Sequence, residues 1–188
     1  ITKITYGSAN PRDLTAFKGS LEMLPPIRYI LQDLQAPLLK EIYEDLDALE
    51  DLCELVTKAI REDPPLAMKE GNIIRDGYNE EVDKLRRAKS DGKDWLAKLE
   101  NDEREKTGIK NLKVGYNRVF GYYIEVTKGS LDLVKDEFEY TRKQSLSNAE
   151  RFITPELKDM ESKILSAQDK IQKLEYVLFT QVRNEIKK

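Results

Sequence analysis

The chain has 188 residues, of which 36% are charged and 39% apolar, with a net charge of −3. It is long enough to bury a core, and the mix suits surface-rich helices better than a large compact α/β core. Histidine is absent and Cys53 is the single cysteine. This removes His-based general bases, Ser–His and Cys–His nucleophile pairs, most zinc sites and any internal disulfide.

Asn10-Pro11 predicts a helix start, with Asn as N-cap and Pro at the first helical position, followed by an apolar stripe Leu14, Phe17, Leu21 and Leu24. Pro25-Pro26 breaks it, and a short helix carrying Ile27, Ile30, Leu31 and Leu34 is expected next. From Pro37, the residues Leu39, Ile42, Leu46, Leu49, Cys53, Val56 and Ile60 recur at alternating spacings of three and four. That spacing predicts one continuous helix ending at Pro64-Pro65, with Cys53 as a small seam residue and Glu44 to Asp51 as a solvated acidic face rather than a metal site. Ile73-Ile74, between Gly71 and Gly77, reads as a short strand or a buried plug. Asn79 caps a helix running to about Lys106. Its stripe of Val82, Leu85, Leu96 and Leu99 is interrupted by Lys89 and Gly92, so a wetter middle is expected; Thr107-Gly108 ends it.

A small sheet follows. Lys113 to Tyr116 forms one strand, and Tyr122, Ile124 and Val126 alternate with Tyr123, Glu125 and Thr127 in a second. Asn117-Arg118-Val119-Phe120-Gly121 has hairpin-tip chemistry. A third strand is expected over Phe138 to Gln144, and tyrosines 116, 122, 123 and 140 read as sheet core more than as stacking platforms. Ser147-Asn148-Ala149-Glu150 fits a capping box, placing Asn148 in the first turn of a helix, and Thr154-Pro155 is a second helix start. The last helix carries Leu157, Met160, Ile164, Ala167, Ile171, Leu174 and Leu178 as a heptad seam. The expected fold class is mainly α with a small antiparallel β-sheet: a helical bundle and a two-helix stalk of about 40 Å, carrying the sheet at its tip.

From Lys110 to Lys158 the chain holds nine basic and seven acidic residues, a balance of +2, against 23 and 28 elsewhere, a balance of −5. A mildly basic sheet on an acidic body points to an anionic partner. No apolar run approaches the roughly 20 residues needed to span a bilayer. The first residues, ITKITYGS, do not read as a signal peptide. The chain starts without methionine and is expected to be an excised fragment.

NLKVGYNRVFGYYIEVTKG followed by YTRKQSLSNAERFITPELKDMESKIL resembles the clamp segment of the bacterial MutS family of DNA mismatch repair proteins. SANPRDLTAFKGSLEMLP resembles that family's core (lever) helix, and GNIIRDGYNEEVDKLR the approach to the clamp, so the resemblance covers essentially the whole chain. It implies a first lever segment (1–92), an inserted clamp (93–154) and a returning lever helix (155–188). It further implies sequence-nonspecific contacts to the backbone of double-stranded DNA, carried by Asn117, Arg118, Val119, Phe120 and Asn148. Charge alone adds Arg142, Lys143 and Arg151. Phe152 stands where the family often has Tyr, and Ser145 where Thr is common. There is no G-x-x-x-x-G-K-[ST] loop and no Phe-x-Glu wedge motif, so the chain is expected to be non-enzymatic, without catalytic residues, metal or cofactor of its own. ATP and Mg belong to the full-length parent, which the resemblance implies is a homodimer that contacts other mismatch repair proteins in the bacterial cytoplasm, in association with the nucleoid. The alternative is a helical scaffold whose sheet binds a protein partner.

Overall fold

The computed structural model of the chain describes residues 1–187. In order, its elements are α1 (Thr2–Thr5), α2 (Pro11–Leu21), α3 (Leu24–Leu31), α4 (Pro37–Asp45), α5 (Glu50–Ala59), α6 (Glu80–Thr107), β1 (Lys113–Asn117), β2 (Gly121–Thr127), β3 (Thr141–Ser145), β4 (Ala149–Ile153) and α7 (Pro155–Ile186). The chain is thus mainly helical with a small antiparallel sheet, as its periodicities predict. The expected continuation of α7 to Lys188 lies, at that last residue, outside the described residues. The chain divides into two compact units, one of residues 1–83 with the part of α7 from Ile171 onward, the other of residues 84–170.

In the first unit α2 starts where expected. The Asn10 side chain accepts from the Asp13 N–H and the Asp13 carboxylate accepts from the Asn10 N–H, both at 2.9 Å, with Pro11 at the first helical position. Pro25 and Pro26 fall in the first turn of α3, where a missing N–H costs nothing. The continuous helix expected from Pro37 to Ile60 is instead two. Leu46 is extended and Leu49 is left-handed at φ 49°, while the Asp47 carboxylate accepts from the Leu49 N–H at 2.9 Å. This local Asx bond offers the backbone an alternative to the helix ladder and breaks the seam. The second piece ends at Ala59, not Pro64, because Ile60 pairs as an antiparallel bridge with Ile74.

Ile73 and Ile74 are fully buried, forming the expected plug, and pack with Leu14, Val56, Ile60, Phe179 and Val182. Glu175 of α7 lies beneath them with no exposed surface and accepts from the backbone N–H groups of Asn72 (2.7 Å), Ile73 (3.1 Å) and Ile74 (3.3 Å). The heptad seam predicted through Leu174 and Leu178 is corrected accordingly: the fully buried positions are Glu175 and Phe179, and Leu174 and Leu178 are half-buried. An α-helix with 3.6 residues per turn drifts off a seven-residue repeat, so its buried stripe moves around the helix.

In the second unit the middle of α6, expected to be wetter at Lys89 and Gly92, is polar at Lys89 but closely packed at Gly92. Gly92 is buried, and a Cβ there would sit 2.6 Å from Ile164 Cγ1. The glycine permits close approach of α6 and α7, and Lys89 reaches the Gln168 side-chain oxygen one turn away. The sheet order is β1-β2-β4-β3, all antiparallel, with Asn117 opposite Gly121, Ile124 opposite Phe152 and Thr127 opposite Ala149. Ile124, Val126 and Phe152 bury one face against Leu96, Leu99, Ile109, Leu112 and Leu157.

Two expectations fail here. The third strand covers 141–145 rather than 138–144, because Asp136–Phe138 forms a 3-10 turn and Glu139 is left-handed. Residues 147–150 do not start a helix. Ala149–Ile153 is a fourth strand, with Glu150 and Phe152 buried on the inner face. The true start is Thr154-Pro155, whose threonine hydroxyl accepts from the Leu157 N–H at 3.1 Å.

Candidate nucleic-acid interface

Asn117 to Gly121 close the β1–β2 hairpin. The Asn117 side-chain oxygen accepts from the Val119 N–H at 2.8 Å, an Asx turn, and its NH2 donates no hydrogen bond among the described residues. Arg118 is exposed, and Val119 is 91% exposed at the apex. Phe120 is half-buried, its ring 5.7 Å from that of Tyr123, so it packs into the hairpin. The Phe120 carbonyl accepts from Lys158 Nζ at 2.7 Å.

Asn148 is exposed in the turn between β3 and β4. Its placement in a helical first turn is therefore corrected: no helix N-terminus lies there, and only the side-chain amide and local backbone are on offer. The turn is closed by Leu146 N–H donating to the Ala149 carbonyl (2.8 Å) and is tied to β2 by Lys128 N–H donating to the Asn148 carbonyl (2.9 Å). The two predicted contact points lie at opposite ends of β2. Six residue steps at about 3.4 Å separate them by roughly 20 Å.

The cations sort into two classes. Arg151 is committed to the sheet: Nε lies 2.8 Å from Glu125, Nη1 donates to Gln144 at 2.9 Å, and the guanidinium stacks 4.2 Å over the Tyr123 ring, leaving the side chain 19% exposed. Arg142 pairs with Glu150 at 3.4 Å. By contrast Arg118 and Lys143 make no ion pair among the described residues, and neither do Lys110, Lys113 and Lys128, which are exposed and which motif reasoning passed over. Lys128 adjoins the Asn148 turn through the backbone bond just given. Lys110 precedes Asn111, whose amide donates to Thr127 Oγ1 at 2.6 Å, so the same end of the sheet gathers both lysines. A count of basic residues finds them; only the structure separates paired from unpaired.

The tyrosines are structural. Tyr116 and Tyr122 pack edge to face at 4.9 Å, although Tyr116 is itself half exposed. The Tyr140 hydroxyl donates to the buried Glu103 at 2.5 Å, and burial, then that carboxylate, push its pKa well above the ordinary tyrosine value. Among the described residues no group of three or more His, Cys, Asp or Glu could hold a metal ion, and no helix is long and apolar enough to cross a membrane.

The profile of MutS family domain IV matches residues 77–170, which contain the sheet and its flanking helical segments. The chain is 57% identical over 185 residues to the DNA mismatch repair protein MutS of Caldanaerobacter subterraneus subsp. tengcongensis, covering 98% of this chain and 21% of that protein. It is 57% identical over 184 residues to the MutS of Lachnoclostridium phytofermentans, covering 98% of this chain and 20% of that protein. It is 55% identical over 188 residues to that of Acetivibrio thermocellus, covering all of this chain and 21% of that protein. The chain thus spans about a fifth of the length of the curated relatives it matches. The chain belongs to the MutS family of DNA mismatch repair proteins and carries its domain IV.

Proposed function

We propose that residues 93–154 are a clamp that holds the backbone of double-stranded DNA without reading its sequence, and that residues 1–92 and 155–188 form the lever on which the clamp is carried. The observation that supports this most is that each end of β2 brings together an asparagine amide and a cation that make no ion pair or side-chain donation among the described residues: Asn117 with Arg118, and Asn148 with Lys128. Amides, lysines and arginines are ordinary phosphate donors that fix a protein on a duplex without specifying bases. A span of roughly 20 Å corresponds to about six base pairs at 3.4 Å each, so the two turns would hold separate phosphates. The chain itself does no chemistry. In the full-length parent, a cytoplasmic homodimeric ATPase using ATP and Mg and working with other repair proteins, it links mismatch recognition to nucleotide turnover.

The decisive experiment places Asn117→Glu and Asn148→Glu together in the full-length protein. Each substitution replaces a donor to phosphate by a charge that repels it, and the expected loss of DNA affinity is roughly tenfold or more per position. The exposed Tyr116 and Val119 favour a second reading, a protein partner on the sheet. That reading is adopted if DNA affinity is unchanged in the double variant.

A further inference from the structure

We propose that Lys158 and Glu161 are positioning residues: they latch the β1–β2 turn onto α7, so that Asn117 and Arg118 are presented to DNA in one fixed geometry, without either latch residue being a contact itself. This inference rests on the DNA-backbone reading of the turn.

The turn has few anchors of its own. Val119 is almost wholly exposed, and the Asn117–Val119 bond lies inside the turn. The Phe120 ring ties it to the outer face of β2 through Tyr123. Its polar tie to another element is Lys158, whose ammonium bridges the Phe120 carbonyl and the Glu161 carboxylate, both at 2.7 Å. Glu161 is buried. A carboxylate in that position is costly unless paired, and Lys158 supplies the charge. Gly121 completes the device. Its φ is +83°, and a Cβ added there would fall 1.6 Å from Glu161 Oε1, so the carboxylate lies directly on the turn backbone. The glycine, the lysine-to-carbonyl bond and the buried carboxylate are complementary, and removing any one releases the others. Because the latch sits in the first two turns of α7, DNA held at the turn is held to that helix rather than to a loose loop.

The test uses the full-length protein with Lys158→Met, Glu161→Gln, Lys158→Arg and Arg118→Ala, reading amide hydrogen exchange without DNA and affinity for a duplex. Lys158→Met is expected to speed exchange at Val119 to Gly121 by tenfold or more, leave the Leu146–Asn148 turn unchanged, and weaken DNA binding about as much as Arg118→Ala. Adding Arg118→Ala to Lys158→Met should cost little more, since Arg118 is already misplaced; Lys158→Arg, which keeps the donor, should restore both readouts. Unchanged exchange in Lys158→Met overturns the latch. Faster exchange with unchanged affinity overturns its positioning role, as does full additivity with Arg118→Ala, which would make Lys158 an independent contact. Should Lys158→Met fail to fold, Glu161→Gln decides by the same criteria. Failure of the underlying DNA reading shows separately, as unchanged affinity in Arg118→Ala itself.

Discussion

Glu175 is a carboxylate with no exposed surface. It accepts from the backbone N–H groups of Asn72, Ile73 and Ile74, between 2.7 and 3.3 Å. Buried amides must be paired, and a charged acceptor satisfies several at once. Glu175→Leu would remove the acceptor from all three donors, at a penalty of roughly 3 kcal/mol. Urea denaturation of the full-length protein, with hydrogen exchange at Asn72 to Ile74, measures it. A loss under about 1 kcal/mol would mean that water or a shifted neighbour takes the donors, and the carboxylate is then not what holds the plug. From sequence, Ile73-Ile74 announces a plug by its apolarity between glycines. Its acceptor, about a hundred residues later on a face that heptad counting assigns to Leu174 and Leu178, does not announce itself.

Helix starts are the most legible elements, because each is set by a few neighbouring residues: Asn10-Pro11, Asn79 and Thr154-Pro155 all cap where capping chemistry says they do. Features decided by competition are less so. The apolar spacing runs unbroken through Asp47, yet one side-chain bond to Leu49 splits the helix. Ser147 to Glu150 satisfies a capping pattern, yet β2 offers a free edge and Ala149 to Ile153 takes it. Gly92 is the sharpest case, since periodicity alone reads it as a gap and packing makes it a close contact. Gly→Ala inside a helix would gain up to about 1 kcal/mol from propensity. Here the new methyl would meet the buried, branched Ile164 at 2.6 Å, and overpacking costs about 1–3 kcal/mol. The clash should win, so Gly92→Ala is expected to lower stability. Combined with Ile164→Ala, it should cost less than the two changes summed, the sign of direct coupling. Denaturant midpoints of the four proteins test this; stabilisation by Gly92→Ala would restore the open, wetter middle.

At the scale of the whole molecule, charge decides what the sheet can hold and how strongly. Residues 84–170 carry nineteen basic and sixteen acidic side chains, a balance of +3, and the remainder thirteen and nineteen, a balance of −6. The composition shows this asymmetry, but not which cations are free. Of the sheet segment's basic residues, Arg142 and Arg151 are spent on Glu150 and Glu125, whereas Lys110, Lys113, Arg118, Lys128 and Lys143 make no ion pair among the described residues. Each phosphate neutralised on a duplex contributes about −0.9 to the slope of log affinity against log salt, so these five cations would bound the sheet segment's share of the proposed DNA contact at about −4.5 per chain. In the full-length protein, Arg118→Ala and Lys128→Ala should each make the measured slope shallower by about 0.9. Arg151→Ala should leave it unchanged, because its charge already faces Glu125, and should lower stability by releasing Tyr123 and Gln144. Anisotropy titrations across a salt series separate these outcomes. A slope that responds to Arg151 and ignores Arg118 and Lys128 would reverse the division into paired and free cations and move the DNA path onto the outer face of the sheet.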